Sequence, residues 1–282
     1  MGSEIQKEKL VVYTAIFGDY DILMEPKGVP DEVDLVCFTD NPNLQTNKWE
    51  IRVVSEELTP AMSNRKIKIL PHRYLSDYDY SIYIDGNVHI VDDVSELASK
   101  YLSKYPLVVP PHPKRDCVYD EAEVCIQSGK ADEKPMREMM NRYSADGFPQ
   151  NFGLSENNVI LREHHDDDVQ SLMNEWWEEV RNGPGRDQLS LPYVLWRNEH
   201  KLHKLDFIPR THGQYFIFYP HRESGTKLFW IPYIRITTRF SKPVERRVAG
   251  LIGDAVHAQR SGGISELANK TVRILLEKVS PQ

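Results

Sequence analysis

Apolar and polar positions along this chain follow two rhythms, and the changeovers between them lay out the elements. LVVYTAIF (10–17) is a near-continuous run of aliphatic, β-branched and aromatic residues and predicts a buried strand, closed by the turn Gly18-Asp19-Tyr20-Asp21. VDLVCF (33–38) predicts a second strand, ended at once by Thr39-Asp40-Asn41-Pro42, and 49–54 predicts a short third one. SNRKIKILPHRYL (63–75) has helical spacing, opened by Ser63 or Asn64 and interrupted at Pro71. YSIYI (80–84) predicts a strand that runs straight into Asp85-Gly86-Asn87. An amphipathic helix over 94–105 and a small strand over 107–109 follow.

The middle of the chain is more helical. Residues 116–143 predict one or two helices broken near Gly129, and 147–161 a turn, a polar loop and a strand. Residues 169–181 form a helix carrying Trp176-Trp177, 186–197 a helix kinked at Pro192, and 205–208 a strand. After Thr238 the character changes to two amphipathic helices, 243–258 and 264–279, joined by Ser261-Gly262-Gly263. Strands alternating with helices predict a doubly wound α/β body over residues 1–238. The remaining residues, 239–282, form a helical extension that packs on the body, dimerises the chain or lies on a membrane surface. Its approach is rich in cations (Arg235, Arg239, Lys242, Arg246, Arg247) in an otherwise acidic protein.

Composition narrows the class. At 282 residues, 40% hydrophobic and 27% charged, the chain can build a core without disulfides or a structural metal. Its net charge of −7 argues against nonspecific nucleic-acid binding. Cys37, Cys117 and Cys125 are too scattered for a disulfide framework and read as thiols in a reducing compartment. No apolar run reaches the ~18 residues of a membrane span, and MGSEIQKEKL lacks a signal-peptide core. The expectation is a cytoplasmic protein, able to work on a lipid-borne acceptor at the inner face of the membrane.

The candidate chemistry collects at strand ends, where open α/β sheets bind ligands. Asp85 offers a carboxylate and Asn87 an amide oxygen, which suit a hard divalent cation, while Gly86 permits close backbone approach. Asp19 and Asp40, with the aromatics Phe17 and Tyr20, suit a base and ribose pocket. Each is equally an ordinary turn or cap residue. Asp187 and Gln188 head a helix, and His221 through Lys227 (HRESGTK) combines a metal-ligating imidazole, a glycine and a phosphate-binding cation. His112, Arg115, Tyr119 and Glu121 cluster in HPKRDCVYDEAE, read as an acceptor or donor-sugar contact region.

FTD, YIDGN, NFGLSENNVILR, RDQLSLPYVLW and HPKRDCVYDEAEVCI together resemble a glycosyltransferase-like family of plants and bacteria first catalogued as a domain of unknown function. The resemblance runs in order from Val11 to Phe229. That family is similar in turn to the glycogenin-like retaining transferases of the GT-A fold. The resemblance implies a GT-A-like (Rossmann-like) α/β fold with a mixed central sheet flanked by helices over 1–238. It implies a metal-dependent transferase using Mn²⁺ or Mg²⁺ and a nucleotide-sugar donor, with a UDP-sugar favoured, for polysaccharide synthesis. By position, Asp85, Asn87 and His221 would hold the metal. Arg65 and Lys68 would face the nucleotide, Asn151 and Gly153 would line the sugar pocket, and Lys227 would hold the diphosphate. Asp187 and Gln188 would sit beneath the reacting carbon. The late segment departs from the family spacing, which makes His212 a rival to His221.

The resemblance favours retention, with the acceptor proton passing to a phosphate oxygen. Inversion would instead need a carboxylate base, with Asp187 or Glu121 as candidates. Two other readings stay open. A metal-dependent hydrolase could draw on Asp85, His89, His112, His212 and His221. An inactive GT-A-fold binding protein is the other, because Asn87 stands where an acid is usual.

Overall fold

The structure, a computed structural model, describes residues 9–55, 57–219 and 221. Four parallel strands form the heart of its larger sheet: β1 (Leu10–Ile16), β2 (Asp34–Thr39), β3 (Glu50–Val53) and β4 (Tyr80–Ile84). Strand β5 (Val88–Ile90) leaves this sheet directly after the Asp85 turn and pairs antiparallel with β8 (Phe216–Phe218) in a separate two-stranded sheet. Strands β6 (Leu107–Val108) and β7 (Val159–Glu163) complete the larger one. Its order is β3-β2-β1-β4-β7-β6, with β7 antiparallel to both neighbours, so the sheet is mixed as expected.

The near-continuous apolar runs follow from burial on both faces. Val11, Tyr13 and Ala15 pack on one side against α1 (Pro60–Ile69), α5 (Asp167–Asn182) and α6 (Asp187–Arg197), with Ile67, Trp176 and Leu189 in that cluster. Val12 and Ile16 pack on the other side with Ile82, Leu161 and, from α2 (Ser95–Leu102), Leu97 and Tyr101. Helices α3 (Val118–Gln127) and α4 (Glu133–Ala145) are separated at Gly129, which takes φ +67°. The last element but one is the single turn α7 (Pro209–His212).

Three details depart from the sequence reading. The first helix begins at Pro60, not at Ser63 or Asn64. Thr59 Oγ1 accepts from Met62 N at 3.3 Å and Pro60 fills the first helical position, which leaves Ser63 and Asn64 inside the helix. Residues 205–208 are not a strand. Only Lys204 bridges Val109, and the chain then turns as Asp206 caps Lys100 and Tyr101. β5 and β8, three residues each, have no counterpart among the expected elements. The two tail helices, the cationic stretch and Lys227 lie outside the described residues, as does the side chain of His212. No described helix is long and apolar enough to cross a membrane.

The sheet interior holds two polar groups that matter for stability. Arg162, 1% exposed on β7, donates from Nη1 to Tyr13 Oη at 2.8 Å, and Tyr13 Oη donates to Lys68 O at 2.9 Å. Burial pushes the Tyr13 phenol up to about 12, so it stays a neutral relay that fixes α1 to the sheet. His164 is buried with Nδ1 donating to Leu75 O (3.1 Å) and Nε2 accepting from Ser81 Oγ (2.7 Å). Burial lowers its pKa to about 4. A folded pKa below the unfolded value of ~6.5 means the unfolded chain binds the extra proton. Stability from His164 is therefore complete above about pH 6.5 and is lost as pH falls towards 4, by about 3 kcal/mol in all. Urea unfolding at pH 7 and pH 4 should show this loss, and His164→Gln should flatten that part of the profile.

Candidate active site

The carboxyl ends of β1, β2 and β4 open onto one edge of the sheet, and two helices face them. Asp85, the first residue after β4, is set by backbone bonds: its N–H donates to Asn158 O (2.9 Å) and its carbonyl accepts from Val88 N (2.9 Å). Two residues earlier on the same strand face, Tyr83 donates its hydroxyl to Asp85 Oδ1 at 3.0 Å. Lys68, in the last turn of α1, reaches across the Tyr83 ring, with Nζ 5.0 Å from its centroid. Its Nζ lies 3.3 Å from Asp85 Oδ1 and 2.8 Å from Asp187 Oδ2, with the lysine side chain only 6% exposed. Arg65, one turn earlier, places Nε 3.9 Å from Asp187 Oδ1.

Asp187 opens α6, and its backbone is clamped. Its carbonyl accepts from Trp176 Nε1 (3.0 Å), Asn157 Nδ2 (3.2 Å) and Ser190 Oγ (3.2 Å). Burial alone would raise the carboxyl pKa. The charges of Lys68 and Arg65, the Lys68 hydrogen bond and the charge of Arg186 outweigh it and hold the carboxyl at about 2. Asp187 is thus a permanent carboxylate surrounded by cations, and Gln188 stands half-buried one residue further along.

On the opposite side of Asp85, Asp21 lies against the Gly86 turn. A Cβ at Gly86 would sit 3.0 Å from Asp21 Oδ2 and from Ile16 Cγ1, so any larger residue here must push one of those side chains aside. His221 Nδ1 lies 3.0 Å from both Asp21 oxygens, and its ring is 4.8 Å from that of Tyr20, which is 42% exposed. Burial would lower the His221 pKa. The Asp21 hydrogen bond and the charges of Asp21 and Asp85 outweigh it and raise the pKa overall. Gly86→Ala should displace Asp21 at a cost of about 1–3 kcal/mol. Thermal unfolding together with the His221 titration by NMR checks this, with the imidazole pKa expected to fall towards its ordinary value.

The other expected site residues divide into groups. Asp40 accepts from Gly18 N with both oxygens (3.1 and 3.0 Å), and Asp19, at φ +53°, meets Asn41 Nδ2 at 3.5 Å. These acids tie the β1 and β2 loops together at the sheet edge, while Phe17 is committed to the core. Glu121, 5% exposed at the start of α3, pairs with Arg115 Nε and lies 3.7 Å from His112 Nε2. His112 Nδ1 accepts from Arg115 N at 2.9 Å, and burial lowers its pKa. Tyr119 donates to Phe148 O at 2.9 Å. This cluster borders the Asp187 site through Arg186, whose charge acts on both Asp187 and Cys125, the neighbour of Glu121. Gly153 takes φ +122°, where a Cβ would lie 3.1 Å from Lys204 Nζ, and Asn151 is exposed beside it. The sequence reading passed over Asp21, Tyr83 and Asn157. Asp21 lay in the same turn as Asp19, and Tyr83 lay two residues before Asp85, the one spacing signal that could have found it.

Of the expected metal ligands, Asp85 is already paired with a resident cation, and the described residues hold no group of three histidines, cysteines or acids placed to bind a metal ion. The Asp85 oxygen that meets Tyr83 is also the one that meets the Lys68 ammonium. Asn87, 7% exposed, is tied into the structure at two points: its side-chain Nδ2 donates to Tyr219 O (2.6 Å) and its backbone carbonyl accepts from Tyr219 N (2.9 Å), locking β8 to β5. His89 similarly turns Nε2 to Glu25 O at 2.9 Å. A doubly charged ion about 5 Å from a fixed ammonium would face a gross repulsion of roughly 7 kcal/mol at an effective dielectric of about 20. Asp85 fits an ammonium partner better than Mn²⁺ or Mg²⁺.

The chain is 28% identical over 215 residues to a probable hexosyltransferase, MUCI70, of Arabidopsis thaliana. The match covers 66% of this chain and 37% of that protein's length, so this chain spans little more than a third of its relative. Among solved structures, the apo form of mouse xyloside xylosyltransferase 1 aligns with a TM-score of 0.41 at 11% identity, over 71% of this chain and 85% of that one. A family model matches residues 2–214, and by that match the chain belongs to the TOD1/MUCI70 glycosyltransferase-like domain family.

Proposed function

We propose that this protein transfers a sugar from a nucleoside-diphosphate donor, a UDP-sugar in preference to others, to a hydroxyl of a glycan acceptor, with retention of anomeric configuration. The observation that carries the reading is Asp187, an ionised carboxylate fixed at the sheet edge beside Lys68, Arg65 and Asp85. Family membership supports the reaction class, and the relative's name, a probable hexosyltransferase, supports a hexose as the transferred sugar. The Mn²⁺ or Mg²⁺ dependence that the resemblance implied is left out of the proposal, because the Asp85 donor set does not suit it.

In this reading the donor diphosphate lies against the cations of α1 and the start of α6. The bond from the anomeric carbon to the diphosphate oxygen breaks, and the carbon gains oxocarbenium character. Asp187, held ionised at about 2, stabilises that positive charge. The acceptor oxygen bonds to carbon from the face the diphosphate leaves, and its proton passes to a phosphate oxygen, so no strong base is needed. Tyr20, exposed beside His221, offers a face for the nucleotide base, and the His112–Arg115–Glu121 cluster offers polar contacts for the acceptor. Saturation-transfer NMR with UDP, GDP and ADP tests the donor site. UDP resonances should be saturated most strongly, with the uracil protons attenuated in Tyr20→Ala. Equal, weak transfer to all three nucleotides would contradict the reading.

A further inference from the structure

The site's cations are distributed in a way that bears on how a donor diphosphate would be held. Asp187 is one carboxylate, yet Lys68, Arg65 and Arg186 all act on it, at 2.8 Å for Lys68 Nζ and 3.9 Å for Arg65 Nε. With Asp85 the count is three cations against two carboxylates before any ligand arrives. Among the described residues, the Arg65 and Arg186 Nε atoms are both buried without a hydrogen-bond partner. Buried guanidinium N–H groups left unpaired are costly, and an anionic ligand would satisfy them. Lys68 has three ammonium protons, and Asp85 and Asp187 account for two acceptors, which leaves one donor for a phosphate oxygen.

We infer that the donor diphosphate is held by resident cations, Lys68 flanked by Arg65 and Arg186, and that binding needs no divalent metal. This rests on the donor reading above and assigns the charge-neutralising role to side chains already in place. Lys68 is prepared for it. Its backbone is fixed by Tyr13, its ammonium lies over the Tyr83 ring, and Tyr83 also holds the same Asp85 oxygen. Asn87 fits the same picture, since an acid there would add charge that the cations already offset, whereas the amide ties β5 to β8.

Calorimetric titration of UDP into the full chain, first in EDTA and then in Mn²⁺, tests the inference without any variant. The expected result is the same Kd in both, within about twofold. Lys68→Met should weaken UDP binding in EDTA by about tenfold to a hundredfold, the worth of one charge-assisted hydrogen bond. Lys68→Arg, which keeps the charge, should retain most of the affinity and, with an unchanged melting temperature, guards against a folding artefact. UDP binding that appears only with Mn²⁺, or that survives intact in a folded Lys68→Met, would overturn the inference and leave the donor reading standing. Failure of UDP and GDP to bind with or without Mn²⁺ would overturn both.

Discussion

Asp187→Asn is expected to lower the rate of sugar transfer by about 10²- to 10⁴-fold with little change in donor KM. The substitution keeps shape and removes one charge. Asp187 carries that charge at all working pH values, since the surrounding cations hold its pKa at about 2. The group's folded pKa is depressed, so its contribution to stability is present above the unfolded carboxylate value near 4 and is lost only as pH falls towards 2. The acid limb of a pH–rate profile should therefore not come from Asp187. The carboxylate matters when positive charge develops on the sugar, and an amide at the same place cannot match it. Steady-state kinetics separates the cases: a fall in kcat with KM held supports the assignment, and a rise in KM alone would reassign Asp187 to donor binding.

Trp176→Ala should cost about 3–5 kcal/mol of stability, the second large effect. Trp176 is fully buried in the cluster between the sheet, α5 and α6, and its removal leaves a cavity that the sheet side cannot close. It also removes the Nε1 donor that reaches both Asp187 O (3.0 Å) and Ser190 Oγ (3.1 Å), loosening the start of α6. Trp176→Phe separates packing from hydrogen bonding. It keeps most of the ring, and Asn157 still anchors Asp187 O, so a loss of only about 1 kcal/mol is expected. Urea unfolding reads both variants. If Trp176→Ala cost no more than Trp176→Phe, the cavity argument would be wrong.

Much of this was legible in the sequence because the parallel strands are buried on both faces. LVVYTAIF and YSIYI leave no polar rhythm to confuse, and Asp85 follows the second of them directly. The helix carrying Arg65 and Lys68 was legible too, and its start was there to be read as well, since Thr59-Pro60 is a stronger opening signal than Ser63. The pairing of β5 with β8 was hidden because three-residue strands carry almost no periodicity and the partners lie far apart in sequence. For the same reason the fate of the Asn87 amide could not be read, since its partner Tyr219 is more than a hundred residues away. The expectation of a metal pair came from the carboxylate of Asp85 and the amide oxygen of Asn87 at a strand end, and from family resemblance at the same two positions. The ammonium that lies beside Asp85 comes from a different element, and only the fold brings the two together.

The most direct test of the central claim is turnover. Wild type and Asp187→Asn would be incubated with UDP-hexoses and a panel of glycan acceptors, following UDP release and the anomeric proton of the product by NMR. The account predicts UDP release and a product of retained configuration in the wild type, with the rate down at least about 10²-fold in the variant. Inverted configuration would contradict the mechanism, and equal turnover by the two proteins would contradict the site itself.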